Sequence, residues 1–218
     1  MSSPSVKDIF SPLFIDSSGR YKNEIGRDVI EKIIQHKLFK CFLPADVGGL
    51  DMNILEMLRV IEDCSYVNGS LGWLIQIGNG GNYFAEYFDE KTYRKLFSPK
   101  DAVIAGSGAP SGKVIATNGG FKLSGEWRYA SGSDYATIFT TSFIDTDGTT
   151  VRSCALMRDQ VEIINDWKTS GLKNSSTNSF RVKDAFVPQE QIFVLTERKQ
   201  TLPSDAFRFP FLSFAQLF

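Results

Sequence analysis

The residues of this sequence best suited to chemistry sit in two runs of small side chains, not in clusters of acids, bases or thiols. The first run is Ala130-Ser131-Gly132-Ser133, two hydroxyls on flexible backbone at the end of a strand-like segment. Such a run lets main-chain N–H groups approach a flat ligand while an aromatic side chain, Tyr129 or Trp127, lies against its face. The same residues also make an ordinary β-hairpin in an all-β domain, and residue types alone leave both readings open. The second run is Gly106-Ser107-Gly108-Ala109-Pro110-Ser111-Gly112-Lys113. It fails as a phosphate loop, because Ser107 stands where a Walker A motif needs its first glycine and Val114 where it needs Ser or Thr. It fails as a dinucleotide fingerprint because Lys113 to Thr117 reads as a strand where a helix must follow.

Other chemistries are excluded by what the chain lacks. His36 is the only histidine, no Cys pairs with it, and it is expected to be exposed on the first long helix, which argues against a metal site and leaves a serine-hydrolase triad without its base. Cys41, Cys64 and Cys154 are odd in number and widely spaced, which predicts buried free thiols instead of a disulfide framework. A net charge of -1 gives no reason to expect nucleic acid or an anionic membrane as partner. With 42% hydrophobic and 22% charged residues the composition is that of a soluble globular protein. No basic start leads into an apolar segment, and no apolar run approaches the roughly 18 residues of a membrane span, so a cytoplasmic protein is expected.

The elements that must position the small-residue runs fall into two groups. Residues 1–20 read as a poorly fixed lead-in. Ile25, Val29, Ile33 and Ile34 recur at helical spacing and predict a helix from about Tyr21 to Lys40. Asn53 with Glu56 three residues on announces a second helix with Ile54, Leu58 and Ile61 as its stripe. Leu71 to Ile77, containing Trp73, is apolar on all sides and predicts a buried helix. Asp89 caps a last short helix through Phe97. From about Lys100 the pattern changes to short β-branched and aromatic segments: 103–105, 113–117, 121–123, 127–130, 137–144, 151–157, 161–164, 179–182 and 191–195. A turn of small residues is expected at 105–112, and Ser124-Gly125 is expected to turn the chain again. Helices followed by strands, without alternation, predict an α+β fold: an all-helical domain over 1–99, then an antiparallel β-barrel or sandwich over 100–200. Residues 201–218 form an apolar tail with Phe207, Phe209, Phe211, Leu212, Phe214, Leu217 and Phe218, which must dock on something.

Several stretches in this order carry a resemblance. Leu43-Pro44-x-x-x-Gly48-Gly49, Gly69-Ser70-Leu71-Gly72-Trp73, Gly119 through Ala136, and Trp167-Lys168-Thr169-Ser170-Gly171-Leu172 followed by Ala185-Phe186-Val187-Pro188 resemble the acyl-CoA dehydrogenase superfamily. The pattern over 119–136 is most similar to its branch of two-component flavin-dependent monooxygenases. The resemblance covers roughly residues 20–218. It implies a helical domain, a middle β-domain and a C-terminal four-helix bundle that this chain lacks, with residues 201–218 as its start. It implies FAD, alternatively FMN, lying between the β-domain and that bundle. Carried over by position, Ser131 would hydrogen-bond the isoalloxazine edge near N5, helped by Ala130 and Gly132, with Tyr129 packed on the ring. Ser107 and Ser111 would line the substrate side or the flavin edge.

A flavin performs redox chemistry itself and asks the protein for binding and orientation, which suits a chain without His or Cys clusters. The implied activity is a flavin-dependent oxidoreductase, either oxidising an acyl-CoA thioester or hydroxylating a small organic substrate with reduced flavin and oxygen. A non-catalytic flavin-binding or scaffold subunit that docks a partner through its apolar tail is the alternative. A homo-oligomer, or a partner supplying the missing bundle, is implied as well. No catalytic base is assigned. Glu126 and Asp134 are near the signature only in sequence, Asn174-Ser175-Ser176 stands where the family has a Gly-Thr-Gly type turn, and Lys173 replaces an arginine.

Overall fold

Capping residues and β-branched segments divide the chain into a helical half and a sheet. The computed structural model describes residues 5–210. Among these, helices α1 (Val6–Phe10), α2 (Arg27–Gln35), α3 (Ile54–Val67), α4 (Gly69–Asn82) and α5 (Glu90–Phe97) precede the strands. These are β1 (Ile104–Thr117), β2 (Gly120–Ala130), β3 (Ile138–Ile144), β4 (Val151–Met157), β5 (Glu162–Ile164), β6 (Asn178–Pro188) and β7 (Ile192–Phe193). The α+β fold expected from the sequence is present.

The start signals act as read. Asn53 Oδ1 accepts the Glu56 N–H at 3.0 Å while Glu56 Oε2 accepts the Asn53 N–H at 2.9 Å, a complete capping box at the head of α3. Asp89 Oδ1 accepts the Thr92 N–H at 2.8 Å and starts α5. Three helical expectations need correction. The helix predicted from Tyr21 to Lys40 is confined to Arg27–Gln35, because Gly26 is extended and Lys37 turns left-handed (φ 58°) before a 3-10 turn over Leu38–Lys40. The lead-in is anchored: Ser5 caps α1, and Phe10 and Phe14 are fully buried. The buried stripe of α3 is Met57, Val60, Ile61 and Cys64, with Ile54 and Leu58 only half-buried.

Helix α4 is buried on nearly every side, as its composition demands. Its glycines allow this: a Cβ on Gly72 would lie 1.9 Å from Ser65 Oγ, so α3 and α4 cross in near-backbone contact. Asn79 and Asn82, also buried, hold the neighbouring segment. Asn79 accepts the Cys41 N–H at 2.8 Å and donates to Leu38 O, and Asn82 donates to Phe39 O.

The strands form one sheet in the order β5-β6-β2-β1-β3-β4-β7, antiparallel throughout except for the parallel β1–β3 pair. Strand β1 serves both sides of it. Ile104–Ser107 pair with β3 and Lys113–Thr117 pair with β2, with a register shift between Ser107 and Gly112. The turn expected at 105–112 is therefore a bend within one long strand, where small residues let the strand change partners. Ser124-Gly125 likewise lies inside β2, at an irregularity opposite β6.

Two apolar cores result. Phe139, Phe143, Leu156, Trp127 and Phe180 pack within the sheet. The larger core joins the helices to Val103, Ile104, Ile138 and Phe193 on the opposite face of the strands. Phe207 completes that larger core, fully buried against Phe42 (ring centroids 5.0 Å) and Tyr83 (6.4 Å). The described part of the apolar tail thus docks on the chain's own helical half; Phe211, Leu212, Phe214, Leu217 and Phe218 lie outside the described residues. Arg198 fixes the approach of this segment by pairing with buried Glu86 at 2.7 Å, and Glu86 also accepts the Leu202 N–H at 2.8 Å.

The remaining reactive side chains are accounted for by packing. All three cysteines are buried free thiols, and burial pushes the Cys41 thiol up to about 12, which leaves it inert. His36 is half-buried at the end of α2, edge-on to Phe10 at 6.5 Å, not exposed as expected. No group of three or more His, Cys, Asp or Glu side chains among the described residues could hold a metal ion. No helix among them is long and apolar enough to cross a membrane.

Candidate ligand site at the end of strand β2

Strand β2 ends in an irregular register between Trp127 and Ala130, and Tyr129 sits inside that irregularity with φ 68°. A non-glycine residue held left-handed costs about 1–3 kcal/mol and persists only where the surroundings impose it. The consequence is that the Tyr129 ring projects from the sheet, 68% exposed, edge-on to Trp167 at 6.4 Å. Ala130 beside it is fully buried. Gly132 then takes φ 80°, a value that glycine adopts freely.

The loop over 172–178 grips this turn. Gly132 N–H donates to Ser175 O at 2.9 Å, Ser133 N–H to Ser176 O at 3.1 Å, and Ser133 Oγ to the same carbonyl at 2.7 Å. Asn178 Nδ2 donates to Ser133 Oγ and Asp134 Oδ1. At the centre lies Ser131, 6% exposed. Its Oγ accepts the indole N–H of Trp73 at 2.9 Å and meets Thr177 Oγ1 at 2.8 Å, which in turn meets Ser175 Oγ at 2.6 Å. Ser131 is therefore the point where helix α4, strand β2 and the 172–178 loop converge.

A cavity of about 290 Å³ lies between α4 and the sheet, its walls mostly apolar. Ile77, Gly80 and Phe84 line it from the helical side, with Ser107, Thr140 and Phe193 facing them from the strands. Trp73, Ile77 and Gly80 fall at steps of four and three, hence on one face of α4. The hydroxyl at Ser131 and the cavity are arranged along that single face, separated by about 10 Å of helix rise. Such an arrangement can hold a planar ligand at the turn and a small apolar molecule alongside it.

The residues singled out in the sequence are thus distributed unequally. Tyr129, Ala130, Ser131 and Gly132 are together. Ser107 lies in the cavity wall on β1. Ser111 is on the outer surface, its hydroxyl donating to Glu126 O at 3.0 Å. Glu126 is outward too, paired with Arg181 at 3.0 Å. Trp73, Thr177 and Ser175 were not legible as site residues. They reach Ser131 from 58, 46 and 44 positions away; Trp73 and Ser175 stood in stretches compared with the family, but no role followed from their residue types.

Comparison with known proteins adds to this geometry. Residues 15–97 match the family model described as acyl-CoA dehydrogenase, N-terminal domain. The chain is 32% identical over 197 residues to the indole-3-acetate monooxygenase of Pseudomonas putida, covering 89% of this chain and 50% of that protein. It superposes on the HsaA monooxygenase from M. tuberculosis with a TM-score of 0.76 at 22% identity, covering 89% of this chain and 57% of that one. XiaF from Streptomyces sp., solved in complex with FADH2 and glycerol, superposes with a TM-score of 0.75 at 23% identity, over 85% and 49% respectively. At those identities the superpositions speak for the fold. The chain spans about half the length of the curated relatives it matches.

Proposed function

This chain belongs to the acyl-CoA dehydrogenase superfamily, and on that premise we propose that it binds a flavin and serves the hydroxylation of a small organic substrate. The observation that carries the reading is the Ser131 turn: a buried hydroxyl beside a projecting aromatic ring, with an apolar cavity further along the same helix. These residues fit a flavin. The exposed face of Tyr129 offers a stacking surface, Ser131 a hydroxyl at the ring edge, and Gly132 a backbone without a side chain where a flat ring must approach. FAD is the first choice and FMN the alternative. When bound, a reduced flavin supplies the reaction with oxygen, and the protein contributes binding, orientation and exclusion of water. The cavity along α4 would take the substrate. The relative in Pseudomonas putida, named for indole-3-acetate, favours a small aromatic molecule over an acyl-CoA thioester. A helical bundle, from further sequence, a second copy or a partner, would cover the exposed Tyr129 and Leu172.

The test is a visible absorption and fluorescence titration of the chain with FAD and FMN. A bound flavin band, weakened when Ser131 and Tyr129 are replaced by alanine, is the expected result. Absence of binding at about 50 µM flavin would overturn the reading for this chain.

A further inference from the structure

Strands β3 and β4 turn a row of hydroxyls toward the cavity. Ile138 belongs to the core shared with the helices, so the two-residue alternation of a strand points Thr140 and Ser142 to that same side. Ala155 of β4 belongs to that core as well, which puts Ser153, two residues before it, on the same face. Ser142 and Ser153 stand directly opposite each other in the β3–β4 pairing, and their Oγ atoms meet at 2.9 Å. Thr140, Ser142 and Ser153 are all buried, and all line the cavity.

The bonding of the serine pair is incomplete whichever way its hydrogens run. Each hydroxyl carries one hydrogen and two lone pairs. One hydrogen lies between the two oxygens, and whichever serine gives it, the other keeps a hydrogen without an acceptor among the described residues. Lone pairs also stay open on both oxygens. Thr140 makes no side-chain hydrogen bond among the described residues, and its Oγ1 lies over Gly106, where a Cβ would come within 2.2 Å of it. Buried polar groups of this kind ordinarily find a partner. No charged side chain is among the described residues that line the cavity, so a carboxylate brought to this wall would lose its water and gain no counter-charge.

We infer that the Ser142–Ser153 pair is the polar recognition point of the cavity and selects a neutral, hydroxylated aromatic ring. The ring oxygen accepts the surplus serine hydrogen, and its own hydrogen enters one of the open lone pairs. A carbonyl would use only the first of these contacts. A ring that also carries a carboxylate binds with that group left in solvent. The inference rests on the proposed function only in taking this ring for the substrate.

The test is equilibrium dialysis of the chain with 2-naphthol, 2-methylnaphthalene and 2-naphthoate, which share one ring system and differ in a single substituent. Wild type is expected to bind 2-naphthol most tightly and 2-naphthoate least, although an apolar cavity alone would favour the methyl compound. Ser142→Ala/Ser153→Ala removes both members of the pair together and leaves neither one unpaired, so a Tm close to that of wild type is expected. In that variant the ratio of 2-naphthol to 2-methylnaphthalene affinity is expected to fall about 2- to 10-fold. Gly80→Leu is expected to weaken all three compounds and so to place them in the cavity. An unchanged ratio in the double variant overturns the inference, even if its Tm falls, because a purely structural pair would behave in that way. No preference for 2-naphthol in wild type overturns it too, as does binding indifferent to Gly80→Leu. A ratio lost in Thr140→Val and kept in the double variant moves recognition to Thr140 and overturns the assignment to the pair. A chain that shows the preference but binds no flavin keeps this inference and loses the flavin reading; one that binds flavin without the preference does the reverse.

Discussion

Gly80 provides a perturbation in which stability and binding should move in opposite directions. It lies in α4 and lines the 290 Å³ cavity, and a Cβ built on it meets nothing within 4 Å. Glycine inside a helix costs about 0.5–1 kcal/mol relative to alanine. Gly80→Ala should therefore stabilise the chain by up to that amount, a rise in Tm of about 1–4 °C for a protein of this size. Gly80→Leu keeps most of the helical gain and sends a branched side chain into the cavity. A ligand forced to share that space faces an overpacking cost of about 1–3 kcal/mol, which weakens binding about 5- to 150-fold. Thermal unfolding and equilibrium dialysis with indole-3-acetate read the two effects separately. A Gly80→Leu protein with unimpaired Tm and unchanged indole-3-acetate affinity would refute the assignment of this cavity to the substrate. A Gly80→Ala protein less stable than wild type would refute the account of the helix.

Two further outcomes follow from burial. Phe207→Ala, which empties a fully buried site between Phe42 and Tyr83, should destabilise the chain by about 3–5 kcal/mol in urea unfolding. Lys40 is buried, donates to Phe97 O and Pro99 O, and has its ammonium pushed down to about 8 by desolvation. Between that value and the usual 10.5 the unfolded chain holds a proton on this group that the folded chain has shed, so stability gained from Lys40 rises with pH across the window. The unfolding free energy of wild type relative to Lys40→Met should accordingly increase from pH 8 to 10.5, and a flat difference would show an unshifted lysine.

Local chemistry was legible in the sequence where it was self-contained. The Asn53–Glu56 box, the Asp89 cap and the all-round apolar α4 depend on residues within a few positions, and each is found where its signal stands. Elements shaped by distant partners were not legible. The small residues over 105–112 carry every mark of a turn, yet β3 on one side and β2 on the other extend them into a strand. The helix begun near Tyr21 was overextended because Ile25 keeps the helical period although Gly26 already breaks the backbone. At the candidate site, the turn itself was visible through its Tyr-Ala-Ser-Gly run, whereas the Trp73 and Thr177 contacts that orient Ser131 exist only once helix and loop have been brought to the strand.

The burial of Phe207 and the Glu86–Arg198 pair also bear on how the chain is made. The helical core holds Leu202, Ala206 and Phe207 alongside residues from α1 to α5, and buried Glu86 is met by Arg198, Lys199, Gln200 and Leu202 of the later segment. During synthesis, which proceeds at about 5–20 residues per second, the helices emerge well before the segment that closes over them. Their apolar surface stays open while the entire sheet is being produced. The helical half consequently cannot finish folding ahead of the strands, and the order of elements along the chain is not the order in which its cores are sealed.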